Sequence, residues 1–114
     1  DWAVGSDDLY FSTPNRVWSL EDAGSHLRWS SSVVSLPSTP VYLYSFGQVL
    51  VGSGDGRLYR LSASTGADAG VASWPVTLGA GNAAVGSPAF DSTVTPALAY
   101  AGTESGGVYA VVVQ

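Results

Sequence analysis

One twelve-residue phrase is written three times in this chain, and it constrains the fold more than any other feature. The copies are "LYFSTPNRVWSL" at residues 9–20, "LVGSGDGRLYRL" at 50–61 and "YAGTESGGVYAV" at 100–111. Each runs an apolar stretch into a hydroxyl residue, Ser12, Ser53 or Thr103, then a turn, then an aliphatic residue followed by an aromatic one. The aromatics are Trp18, Tyr59 and Tyr109, each six residues after its hydroxyl. Pro-Asn, Asp-Gly and Gly-Gly between two apolar runs predict β-hairpins, because those turn residues accept the backbone that a tight reversal needs.

The copies begin 41 and 50 residues apart, a spacing that fits units of several strands. No segment carries a sustained apolar stripe at helical period, so helical repeats are excluded. Flanking stretches supply further strands: "STPVYLYSF" (38–46) and "GSPAFDST" (86–93) before a hairpin, "HLRWSSSVV" (26–34) and "VASWPVTL" (71–78) after one. Runs such as "VLV" and "VYAVVV" are apolar at successive positions, as sheets covered on both faces require. The expectation is an all-β chain of antiparallel four-stranded β-propeller blades in an incomplete ring. The units are 1–37, a degenerate blade; 38–85, a blade; and 86–114, a partial blade lacking its last strand, about eleven strands in all.

Charge and composition narrow the function. Only 11% of residues are charged, and four arginines (Arg16, Arg28, Arg57, Arg60) stand against nine carboxylates with no lysine, a net charge of −5. Nucleic-acid and anionic-membrane surfaces are therefore not expected as partners. No apolar run approaches the roughly 18 residues of a membrane span. Cysteine is absent, which removes disulfides and thiolate metal sites. Methionine is absent too, position 1 included, and the expectation is a processed fragment.

Residues 61–74, "LSASTGADAGVASW", and 20–29, "LEDAGSHLRW", resemble the Leu-Asp-x-x-Thr-Gly-Lys-x-x-Trp phrase of the quinoprotein-type (PQQ-like) β-propeller repeat family. "GSGDGRLYRL" is similar to that family's Gly-Ser-x-Asp-Gly-x-Leu-Tyr-Ala-Leu phrase, and "GSPAF" to its Ser-Ser-Pro-Ala-Val phrase. The second copy departs by extra residues between Gly66 and Trp74, and the first lacks the Asp-Gly turn. The resemblance implies that Trp29 and Trp74 dock between neighbouring blades. It also implies that Tyr42 and Tyr44 lie on the strand nearest a central channel, where they become candidates for binding.

The remaining polar residues read as structural. Asp7-Asp8 is the one pair of adjacent aspartates; in an extended strand its members face opposite ways, so a solvated turn is expected rather than calcium. Asp55 belongs to a hairpin turn, and His26, the single histidine, has no nucleophile context. Arg57 and Arg60 flank Tyr59; the alternative for one of them is contact with a ligand or stacking on an aromatic ring, but they are expected to be solvated or paired with an aspartate. Catalytic, metal and cofactor-binding residues: none are expected, and no cofactor; Trp29, Trp74, Trp18, Tyr59 and Tyr109 are expected to serve packing.

The function expected is that of a noncatalytic propeller scaffold, completed by another polypeptide that supplies the remaining blades, most directly the rest of its own precursor. It would mediate protein–protein or cell-surface binding in an extracytoplasmic setting: periplasmic, cell-surface or secreted. The alternative is a non-catalytic part of a quinone-dependent dehydrogenase.

Overall fold

Each copy of the repeated phrase folds as a hairpin, and flanking residues build a sheet around it. The computed structural model describes the backbone of residues 2–5 and, with side chains, residues 8–21, 26–43 and 46–114. Tyr44 and Asp7 lie outside the described residues. Sheet one comprises β1 (Trp2–Gly5), β2 (Asp8–Thr13), β3 (Arg16–Glu21) and β4 (His26–Ser31). Sheet two comprises β5 (Val41–Leu43), β6 (Gln48–Gly52), β7 (Arg57–Ser62) and β8 (Val76–Thr77). Sheet three has β9 (Ala89–Asp91), β10 (Ala97–Gly102) and β11 (Val108–Val113). All pairings are antiparallel and sequential, and there is no helix among the described residues.

Trp18, Tyr59 and Tyr109 each lie on the third strand of a sheet, opposite Phe11, Val51 and Ala101. The second and third hairpins reverse alike. The Ser53 amide donates to the Arg57 carbonyl at 2.9 Å, and the Thr103 amide to Gly107 at the same distance. Gly56 and Gly106 take the positive φ that this reversal imposes, 87° and 96°. The first hairpin is one residue tighter, turning through Pro14 and Asn15 between the paired Thr13 and Arg16. The residue matching Ser53 is therefore Thr13, not Ser12, and the six-residue spacing in the first copy is not structurally equivalent to the other two.

The sheets stack face to face, with sheet two in the middle. Period-two alternation sends Val49, Val51, Tyr59 and Leu61 to one face, where they meet Tyr10, Val17, Trp29 and Val34. Leu43, Leu50 and Leu58 go to the other, against Ala99, Ala101 and Val113 of sheet three, with Leu78 and Val85 between. Every named aliphatic residue of β6 and β7 is fully buried, which explains why their sequences show no polar alternation. The fourth strand expected over 71–78 is shorter: only Val76 and Thr77 pair with β7, and residues 67–69 cover the rest of its edge.

Candidate interaction site

The two junctions between sheets use different chemistry, and the difference defines the site. At the first, Trp29 on β4 is 7% exposed and donates its indole N–H to the Ala63 carbonyl at 2.9 Å. Its six-membered ring lies on Gly66, where a Cβ would sit 2.4 Å from Cε3, so this close approach requires glycine. Tyr10 completes the contact, 6.1 Å from the Trp29 ring and stacked at 5.7 Å on Tyr42 of β5. Burial, and then the charge of Asp8, push the Tyr10 phenol up to about 12. Tyr42, expected beside a channel, is thus tied into the packing between sheets one and two.

At the second junction the tryptophan, Trp74, is joined by a buried arginine. Arg60 of β7 is only 2% exposed and faces sheet three. It corresponds to Ser19 in sheet one, a buried residue whose hydroxyl has no partner among the described residues. Arg60 Nε donates to Gln48 Oε1 at 2.7 Å, and a terminal nitrogen donates to the Gln114 carbonyl at 3.1 Å. Its guanidinium carbon lies 5.0 Å from the ring centres of both Phe46 and Trp74. No aspartate or glutamate pairs with it among the described residues, and desolvation lowers its pKa. The expectation of a solvated or aspartate-paired Arg60 is therefore corrected: because sheet three covers this face of β7, the cation is buried against aromatic rings. Arg57, three residues earlier, is exposed.

Trp74 is half-buried, in a turn before β8, and flanks a groove of about 350 Å³. Val71, Ala72 and Ser73 form the same wall, and Val112 and Gln114 form the other. The residues inserted between Gly66 and Trp74 leave Trp74 on a turn, whereas Trp29 sits within a regular strand.

The other residues singled out from the sequence are placed as follows. Trp18 stacks on Phe11 at 6.3 Å, on the opposite face of β3 from the buried Val17 and Ser19. Tyr59 is buried and donates its hydroxyl to Asp55 at 2.8 Å; burial and this bond raise its pKa. Asp55 also accepts from the Arg57 amide, as a turn residue does. Tyr109 is half-buried against the second junction. His26 is exposed at the start of β4. Asp8 is not in a solvated turn: it opens β2 and pairs with Arg28 at 3.0 Å, and Arg28 also reaches Glu21 at 3.0 Å. Among the described residues no group of three or more acidic, histidine or cysteine side chains converges to hold a metal.

Sheet three has an open face and an open edge. Tyr100, Val108, Ala110 and Val112 lie on the side turned away from sheet two, with Val108 79% exposed. Among the described residues β11 has β10 on one side and no strand on the other.

Stacked antiparallel sheets of this size, joined in sequence and with the ring not closed, define an unclosed stretch of β-propeller. The solved structure of BamB from Moraxella catarrhalis has the same fold, with a TM-score of 0.71 and 22% sequence identity over 97% of this chain. The chain spans about a third of that structure's length, 32%. No family model and no curated protein matches the sequence.

Proposed function

We propose that this chain is a noncatalytic scaffold: consecutive blades of quinoprotein-type repeat, completed into a propeller by another polypeptide segment and engaging protein or cell-surface partners. The observation that carries the reading is the contrast between equivalent positions of sheets two and three. Leu50, Leu58 and Arg60 are buried by the next sheet, whereas Tyr100, Val108 and Ala110, fifty residues on, are exposed. An exposed face of this kind, uncharged and built on the same register, is the face a further blade would cover. The Trp29–Gly66 contact supports the quinoprotein-type assignment, since it joins the two residues that the repeat phrase singles out. The same resemblance supports an extracytoplasmic setting.

Sedimentation velocity at increasing concentration tests this reading on the chain alone. An open face predicts reversible self-association that Val108→Lys combined with Val112→Lys suppresses. A folded 11.7 kDa chain that stays monomeric throughout the concentration range sinks the proposal.

A further inference from the structure

The outer edge of β7 is covered in two pieces, and the chain between them leaves the sheet. The first piece is residues 67–69: the Ser62 amide donates to the Ala67 carbonyl at 2.7 Å, and the Ala69 amide to the Arg60 carbonyl at 2.8 Å. The second is β8, whose Val76 and Thr77 pair with Leu58 and Arg57. On β7 only Tyr59 separates these contacts, so residues 70–75 are looped out of the edge. Gly70 and Ser73 hold φ of 71° and 70°, a conformation strained for serine. The hydrogen bonds of the loop are local: the Gly70 amide donates to Asp68, and the Trp74 amide to the Val71 carbonyl. None of residues 70–73 is buried, and Gly70, Ala72 and Ser73 are exposed. The connections at 32–40 and 78–88 are tied down by contrast. Val34 is fully buried and the Ser35 carbonyl accepts from Gly54 and Ser53; the Val85 amide donates to Ser53, and a Cβ at Gly56 would meet the Gly81 carbonyl carbon at 2.6 Å.

We infer that residues 70–73 are a nicking site for a serine endopeptidase with a small apolar specificity pocket, which hydrolyses the Ala72–Ser73 bond. One water adds across that bond, its hydroxyl going to the Ala72 carbonyl carbon and its proton to the Ser73 nitrogen. A protease takes its substrate as an extended segment, and this loop supplies one by opening locally, since release of the Ala69–Arg60 contact uncovers no buried side chain from residues 70–73. Ala72 is small and exposed, as the pocket requires. No residue from 69 to 76 is charged, so enzymes that cut beside a basic or acidic residue find no site there. The two pieces stay joined after the cut. β8 keeps its pairing with β7, Leu78 is 4% exposed, and sheet three remains packed on Leu50 and Leu58.

The test is limited proteolysis of the whole chain with pancreatic elastase, read by intact mass and by sizing under native conditions. The first products are expected to be residues 1–72 and 73–114, eluting together where the uncut chain elutes. Ala72→Asp brings a carboxylate to the apolar pocket and should slow that cut at least about tenfold. Trp29→Val weakens the other junction and separates local opening from unfolding. A loop that opens by itself is cut at an unchanged rate in this variant, whereas cutting through the unfolded chain speeds up with the unfolded fraction. No cut, a first cut elsewhere or an accelerated cut in Trp29→Val overturns the loop as the site. An unslowed cut in Ala72→Asp overturns the choice of bond, and fragments that separate on sizing overturn the retained pairing.

Discussion

Gly66→Ala probes how the sheets are held together. Gly66 has φ +77°, and its Cβ would lie 2.4 Å from Cε3 and 2.7 Å from Cδ2 of Trp29. Forcing alanine into the left-handed region costs about 1–2 kcal/mol. The indole must then retreat, losing its bond to Ala63, about 1 kcal/mol, and part of its packing, about 1–2 kcal/mol. The expected total is about 3–5 kcal/mol, a large share of the roughly 6–17 kcal/mol that a chain of this length has. Gly70→Ala is the control, with φ +71° and nothing within 4 Å of its Cβ, so only the conformational cost applies. Equilibrium urea unfolding of both variants, alone and with Trp29→Val, isolates the contact. With valine at position 29 the cost of Gly66→Ala should fall to about 1–2 kcal/mol. Equal costs for Gly66→Ala and Gly70→Ala in the parent chain would refute the docking of Trp29 on this turn.

Further outcomes follow from the same contacts. Tyr10 has its folded pKa raised from 10.0 to about 12, so its contribution to stability is complete below pH 10 and is lost as pH rises toward 12, where the unfolded phenol ionises first. Absorbance titration should show one late phenol that Tyr10→Phe removes, and the variant's stability should fall less steeply over that range. Tyr59→Phe removes the donor to Asp55 and should cost about 1 kcal/mol in urea unfolding, with no change when Asp55→Ala is already present. The scaffold reading assigns this chain no bound quinone or metal. Absorbance and elemental analysis of the purified chain should find neither, and stoichiometric retention of either would overturn it.

Much of this architecture was legible because hairpin chemistry is local. Asp55-Gly56 and Gly106-Gly107 announce reversals, and apolar runs on both sides announce strands covered on both faces. Trp18, Tyr59 and Tyr109 could be placed on third strands for that reason. The one-residue difference at Pro14-Asn15 was not legible, since turn length depends on which residues pair across it. Arg60 was harder still. In a strand buried on both faces period two no longer marks a solvent side, so a lone arginine reads as solvated until the next sheet is seen to cover it. Trp29 and Trp74 share a motif, yet the residues inserted after Gly66 put only the first on a regular strand. Gly66 carries positive φ, but its contact with a ring more than thirty residues away leaves no local mark.

The most direct test of the central claim, a stack of propeller sheets left open at sheet three, is residue-resolved amide exchange. Along β6, whose Gln48, Val49 and Leu50 pair on both sides, the account predicts uniformly slow exchange. Along Val108–Val113 it predicts alternation, slow where amides face β10 and fast where they face the free edge. Uniform protection of β11, matching that of β6 in the chain alone, would contradict it.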